Sequence, residues 1–154
     1  MDVKLINPIL ESMVNVLSTM ANVKPSLGKP QIKTDEISQG DVTGIMSMVS
    51  PKVRASLAIS FSKSAIIDLV QRMLGDKITD VDDTAKDMVG EMTNMVVGGV
   101  KNLYAEQGYD FDMSTPKLLH GKDHIIHHEF TGQTIVLPFI ANAGEFYVEI
   151  CFEE

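Results

Sequence analysis

The middle of the chain carries one long, uninterrupted helical pattern, and strand-like segments lie before and after it. The pattern begins at Asp80 or Asp82, either of which can cap a first turn, and it ends near Gln107. Before it, the runs 41–50 and 52–60 are joined by a short turn, and the second alternates apolar and polar residues. That alternation predicts an antiparallel hairpin with one buried face. A long helical pattern with strand-like runs on both sides of it favours a mixed α and β architecture.

Two further helices are predicted from caps and apolar spacing. Asn7 and Pro8 suit the cap and first turn of an N-terminal helix that ends before Pro25. Ser62 and Gly75 suit the start and the end of a second helix, because serine caps N-termini and glycine terminates helices. The chain therefore begins with one helix and carries two more in its centre.

The remaining strand-like runs complete the predicted sheet. They are 31–37, 111–120, 123–130, 133–142 and 145–152. In the turn between the last two runs, Gly144 is expected at positive φ. Runs of strands around a block of helices are typical of α+β proteins. We predict an α+β fold with an antiparallel-rich sheet, on which two long central helices and the N-terminal helix pack, in a single domain over residues 1–154.

Charge and composition exclude several classes of partner and location. The 13 basic and 21 acidic residues give a net charge of −8, and the basic residues occur singly. Binding to nucleic acid or to an anionic membrane is therefore not expected, whereas a partner that presents a lysine fits. No run of apolar residues is long enough to cross a bilayer, and residues 1–8 lack the order of a signal peptide. The single cysteine, Cys151, is expected as a buried thiol, so we predict a cytoplasmic protein.

The central helix carries a polar stripe. Asp87, Glu91, Asn94 and Gly98 follow one another at spacings of four, three and four residues, which places them on one face at about 100° per residue. The other side carries the residues expected in the core: Met88, Met92, Met95, Val96, Leu103 and Tyr104. The stripe is therefore the candidate functional surface.

Three glycines lie within this helix, at Gly90, Gly98 and Gly99. Each costs about 1 kcal/mol relative to alanine in a helix interior, so each asks for a reason. Close packing of a neighbouring helix or sheet is one explanation. Close approach of a partner protein is the other, and the sequence leaves both open.

The stripe contains no nucleophile of the usual kind. The chain also has no serine–histidine–aspartate order, no paired-cysteine motif, no zinc-protease motif and no phosphate-binding glycine loop. An asparagine amide can hold a water in line with an electrophilic phosphorus, and a glutamate can pair with a lysine. Phosphoryl transfer needs little more than such positioning and charge neutralisation. A solvated helix face is the alternative interpretation of Glu91 and Asn94.

The segment with Asp87, Glu91, Asn94 and Gly98 at these spacings resembles the active-site helix of the CheC/CheX/FliY phosphatases. These chemotaxis proteins dephosphorylate the response regulator CheY. The length and the order of elements resemble the CheX form, which has a single motif per chain. In the family pattern a proline follows about two dozen residues after the asparagine, and Pro116 falls within about one residue of that place.

The resemblance implies a role for each residue of the stripe. Glu91 would form a salt bridge to the active-site lysine of a CheY-like response regulator, and Asn94 would orient the water that attacks the aspartyl phosphate. Asp87 and Gly98 would contact the substrate protein. The chain would need no cofactor or metal of its own, because Mg²⁺ belongs to the response regulator in such a reaction. The resemblance also implies a homodimer with a shared sheet.

Four histidines form a competing constellation at His120, His124, His127 and His128. If 123–130 is a strand, His124 and His128 share one face but lie about 13 Å apart, too far to chelate one ion. A metal site completed by His120 is conceivable, but exposed sheet or loop histidines are the favoured interpretation.

The resulting hypothesis is a protein aspartyl-phosphate phosphatase that acts on a CheY-like response regulator. The alternative is a non-catalytic signalling adaptor that binds a response regulator through the same helix. Turnover of excess phosphorylated regulator by a small amount of protein would separate the two.

Overall fold

A computed structural model describes residues 3–153, which form three helices on one face of an antiparallel sheet. The helices are α1 (Val3–Ala21), α2 (Lys63–Leu74) and α3 (Asp83–Glu106). The strands are β1 (Ser26–Leu27), β2 (Gln31–Ile32), β3 (Val42–Val49), β4 (Arg54–Phe61), β5 (Asp112–Met113), β6 (Lys117–His120), β7 (Thr134–Ile140) and β8 (Glu145–Glu153). The described part of the chain confirms the predicted α+β fold.

The sheet runs in the order β1-β7-β8-β4-β3-β5, with β2 also paired to β7 and β6 also paired to β3. Both predicted hairpins are present, since β3 pairs β4 and β7 pairs β8. One face of these strands and the apolar sides of all three helices form a single core. Strand β3 lies between β4 on one side and the short strands β5 and β6 on the other.

The helix caps agree with the sequence pattern. Ser62 accepts a hydrogen bond from the Ala65 backbone N–H at the start of α2, and Gly75 ends that helix with a φ of 75°. Asp82 caps α3 in the same way through the Ala85 backbone N–H. The long central helix is therefore delimited by its own local residues, as predicted.

The predicted start of the first helix was wrong. Helix α1 is already formed at Val3, so Pro8 lies inside it and Asn7 is not its cap. A proline within a helix leaves the carbonyl four residues earlier without its usual donor. Here the Lys4 carbonyl accepts a hydrogen bond of 3.0 Å from the Gln107 side chain at the end of α3. A tertiary contact thus compensates the local defect, which the sequence pattern could not indicate.

The short strands also differ from the predictions. Within the predicted strand 31–37 only Gln31–Ile32 forms a strand, and the run 111–120 is divided into β5 and β6. The run 123–130 contains only one isolated bridge, between Ile37 and Ile125. Instead of joining the sheet as a strand, that run lies against its face, where His128 contacts the Ser56 hydroxyl of β4.

Gly144 is not at positive φ, so that prediction was wrong as well. Glycine is required at this position because a side chain would collide with the start of α2. A Cβ there would lie 2.8 Å from the Ser62 Oγ and 2.9 Å from the Ala65 backbone nitrogen. The β7–β8 turn therefore packs directly against the start of α2.

The face of the sheet away from the helices is covered by residues 121–133, here called the covering segment. Ser56 and Ser60 of β4, which alternate with its core residues, are as buried as the core itself. The prediction of a single buried face was therefore wrong for this central strand. The cause is the covering segment, whose His128 lies 2.7 Å from the Ser56 hydroxyl.

Candidate functional site

The polar stripe of α3 is exposed. Asp87, Glu91 and Asn94 are all exposed, and Gly98 is half-buried. Among residues 3–153, no side chain forms a hydrogen bond or an ion pair with any of the three polar residues. Three polar groups in a row are therefore available to a molecule outside the chain.

The opposite side of α3 lies in the core. Of the residues predicted there, Met88, Met92, Val96 and Tyr104 are buried, whereas Met95 and Leu103 are only half-buried, so the prediction was wrong for these two. The fully buried residues of α3 are Ala85, Val89, Met92, Thr93, Val96, Val97, Val100 and Tyr104. Thr93 directly precedes Asn94, and its hydroxyl donates a hydrogen bond of 2.7 Å to the Val89 carbonyl. The stripe is thus carried on a helix whose other side is held by close packing.

The three helix glycines have different surroundings. A Cβ at Gly99 would collide with the Ser12 hydroxyl of α1, which itself donates to the Val96 carbonyl at 2.6 Å. Packing against α1 therefore explains Gly99. A Cβ at Gly98 would meet nothing within 4 Å, and one at Gly90 would make only an ordinary contact of 3.8 Å with Leu118. Internal packing does not require glycine at either of these positions.

Acidic side chains dominate the first half of the stripe. Asp83, Asp87 and Glu91 are exposed at spacings of four residues, and Asp83 lies in the first turn of α3. Asn102 continues the spacing of four beyond Asn94 and Gly98, and it too is exposed. The predicted stripe ends at Gly98, and the same spacing extends it to Asn102.

The stripe lies outside the main cavities of the described chain. None of four such cavities is lined by Asp87, Glu91 or Asn94. One of them, of about 360 Å³, lies on the opposite face of the sheet beside the covering segment. An exposed helix face suits the cleft of a protein partner better than a small molecule, which usually binds in a concave site.

Two of the four histidines, His124 and His128, hold the covering segment against the sheet. The His124 Nε2 lies 2.6 Å from the Thr43 hydroxyl, and the two ring nitrogens of His128 contact Ser56 and Glu149. The interpretation of these two as exposed histidines was therefore wrong, whereas His120 and His127 are exposed. Within residues 3–153, no three histidine, cysteine or carboxylate side chains are grouped as metal ligands.

Cys151 is buried, as predicted, and its thiol contacts the backbone carbonyls of the covering segment. No helix in the described part of the chain is both long enough and apolar enough to span a membrane.

The chain matches a known protein family over the part that contains helix α3. The family described as chemotaxis phosphatase CheX matches residues 42–140, a range that contains all of α3 and its stripe. The chain belongs to the CheX family. A CheX relative, the protein named CheY-P phosphatase CheX from Thermotoga maritima, is 26% identical over 125 residues, which cover 80% of this chain and 79% of that protein.

Solved structures share the CheX fold along the whole described chain. A CheC-like superfamily protein from Shewanella sp. PV-4 is 47% identical and superposes with a TM-score of 0.94 over 100% of both chains. The CheX of the CheX–CheY–BeF3–Mg²⁺ complex from Borrelia burgdorferi is 22% identical, with a TM-score of 0.82, over 97% of this chain and 98% of that chain. At that identity the second likeness concerns the fold alone.

Proposed function

We propose that this protein is a phosphatase of a CheY-like response regulator and that α3 carries its active site. Asn94 positions the attacking water, and Glu91 anchors the lysine of the regulator's phosphorylation site. The observation that carries the proposal is the exposed, unpartnered Glu91–Asn94 pair on a helix whose opposite side is packed into the core.

The chemistry requires positioning rather than a nucleophile from this chain. The Asn94 amide can donate to and accept from one water, and so hold its oxygen in line with the phosphorus. The water oxygen forms a bond to phosphorus as the bond from phosphorus to the aspartate oxygen breaks. The products are the free carboxylate and inorganic phosphate. Mg²⁺ on the response regulator would neutralise the phosphoryl charge, so no metal is assigned to this chain.

The exposed carboxylates of α3 support a partner that presents a basic group. Glu91 can form an ion pair with a lysine, and Asp87 lies one turn earlier on the same face. Gly98 leaves room for a close approach of the partner one turn beyond Asn94. The relative named CheY-P phosphatase supports the same class of partner.

The first test compares Asn94→Ala with Asn102→Ala. Both residues are exposed asparagines of α3, and neither substitution removes an internal hydrogen bond. We expect Asn94→Ala to lower kcat for dephosphorylation of the cognate phosphorylated regulator by at least about 100-fold, with binding largely kept. Asn102→Ala should retain the wild-type kcat. Equal activity of the two variants would contradict the role of Asn94.

The second test reverses the charge of Glu91. Glu91→Lys places a lysine against the regulator's lysine, so both binding and turnover should be lost, with KM raised by at least about tenfold. Glu106→Lys is the matched control, because Glu106 is an exposed glutamate in the last turn of the same helix. A similar loss in both variants would indicate a general effect of charge rather than a specific pair.

Turnover separates the phosphatase from the adaptor. A substoichiometric amount of the protein should clear an excess of phosphorylated regulator. Binding without accelerated decay would overturn the enzymatic proposal and favour the adaptor. The homodimer with a shared sheet is also a proposal, and sedimentation of the purified protein tests it.

A further inference from the structure

Helix α3 packs closely on the sheet at Thr93, the residue that precedes Asn94. Thr93 of α3 lies against Gly44 of β3, and a Cβ at Gly44 would lie 2.9 Å from the Thr93 Cβ and closer still to its hydroxyl. Contacts of that length essentially do not occur between real side chains. The absence of a side chain at Gly44 therefore determines how closely α3 packs on the sheet at this point.

Neither side of this contact can yield easily. Thr93 is fully buried and its side chain is β-branched. Its hydroxyl donates a hydrogen bond to the Val89 carbonyl. Gly44 belongs to an inner strand, where it pairs with Ile59 of β4 and with Leu118 of β6. Rotation of the Thr93 side chain alone would not relieve the 2.9 Å approach to its Cβ. A methyl group at position 44 must therefore displace the backbone, and because β3 is held by pairing on both sides, we expect the helix to move.

The displacement would reach the catalytic pair directly. Asn94 follows Thr93 in the chain, and Glu91 lies about 160° around the helix from Thr93, on the side away from the sheet. At the other end of the same turn, Gly90 rests on Leu118, the residue paired with Gly44. The paired residues Gly44 of β3 and Leu118 of β6 thus lie beneath the helical turn from Gly90 to Asn94.

We infer that Gly44 is a positioning residue for the reaction, because it sets the height at which Asn94 and Glu91 project from the sheet. This inference rests on the function proposed above. Gly44 is buried beneath α3 and would act through Thr93. Displacements of about 1 Å in a catalytic constellation can cost about 100-fold in rate, so a small lift of the helix is sufficient for a large effect.

The test is a set of variants assayed for dephosphorylation of the cognate phosphorylated response regulator. Gly44→Ala should lower kcat by about 10- to 100-fold, with KM changed by less than about threefold. The double variant Gly44→Ala/Asn94→Ala should be no slower than Asn94→Ala alone, because both changes remove the same positioning of water. Independent losses that multiply would overturn the inference.

A matched control separates positioning from general destabilisation. Gly40→Ala places a Cβ 2.7 Å from the Phe61 carbonyl oxygen, a similar overlap on the sheet that involves no residue of α3. Assays are made where circular dichroism shows both variants folded. Gly40→Ala should keep the wild-type kcat, and equal kcat values for the two variants would overturn the inference.

The Thr93→Ala variant provides a second background in which Gly44→Ala can be tested if the single variant Gly44→Ala does not fold. Thr93→Ala removes the hydroxyl that overlaps most with a side chain at 44, leaving only the 2.9 Å contact between the two Cβ atoms. In that background, Gly44→Ala should still lower kcat by about tenfold relative to Thr93→Ala. An unchanged kcat in that background would overturn the inference.

The Asn94→Ala variant separates the two proposals. If Asn94→Ala has no effect on the rate, the proposed function is wrong and this inference is wrong with it. If only Asn94→Ala has an effect, this inference falls alone.

Discussion

Glu91 and Glu149 represent the two faces of this molecule. Glu91 projects from α3 into solvent, and no described side chain pairs with it. Glu149 lies beneath the covering segment with 1% of its side chain exposed, where it accepts from Lys33 at 2.6 Å and contacts His128 at 3.1 Å. The same side chain is satisfied internally on one face and available on the other. An unpaired exposed carboxylate such as Glu91 can bind a partner, whereas a paired buried one such as Glu149 contributes to the stability of the fold.

The largest expected difference between the two faces lies in stability. Glu149→Ala leaves Lys33 and His128 buried without their shared acceptor, so the free energy of unfolding should fall by about 3–5 kcal/mol. Glu91→Ala should change it by less than about 0.5 kcal/mol, because an exposed, unpaired side chain is lost. Urea titration measures both values. Similar values for the two variants would remove the distinction between the faces.

The neighbouring glycines of α3 sharpen the comparison within one helix. Gly99→Ala must displace Ser12 and disturb its bond to Val96, which should cost about 1–3 kcal/mol of stability. Gly98→Ala meets nothing and should stabilise the protein by about 0.5–1 kcal/mol. Under the proposed function it should nevertheless raise KM for the phosphorylated regulator, because the added methyl lies on the docking surface.

Thermal unfolding and the phosphatase assay give the two readouts for the glycines. Gly99→Ala combined with Ser12→Ala should recover part of the lost stability, since the colliding hydroxyl is removed. A stabilised Gly98→Ala variant with unchanged KM would exclude Gly98 from the docking surface.

The smallest effect is expected at alkaline pH on the covered side of the sheet. Burial raises the pKa of Tyr147 from 10.0 to about 12, and its hydrogen bond to Glu145 adds to the shift. Below pH 10 both the folded and the unfolded states keep the phenol proton. Between pH 10 and 12 only the folded state keeps it, so stability is lost across that window as pH rises. Tyr147→Phe should show a smaller drop in Tm over the same window, and an equal drop would contradict the assignment.

The helical layer could be predicted closely because its signals are local. Ser62, Gly75 and Asp82 mark helix ends through hydrogen bonds that span a few residues. The stripe of Asp87, Glu91 and Asn94 follows from helical periodicity alone, and the structure leaves all three exposed. Their roles in the reaction stay predictions.

The covered face could not be predicted in the same way. His124 and His128 lie in a segment without regular structure, and their contacts with Thr43, Ser56 and Glu149 join residues far apart in the chain. The prediction of a strand at 123–130 was wrong, because that run is held against the face of the sheet by side chains of β3, β4 and β8. Which distant side chains meet a segment is a property of the whole fold.

The sequence by itself determined the three helices and the two long hairpins in their order, the ends of the two central helices and the face on which the stripe lies. Those features depend on hydrogen bonds and side-chain spacings within a few residues of the chain. Only the tertiary structure decided that Pro8 lies within a helix, that Gly99 packs against Ser12 whereas Gly98 is open, and that Gly44 supports Thr93. These outcomes depend on which distant surfaces meet and how closely, because close packing in a protein interior leaves no room for even one additional methyl group.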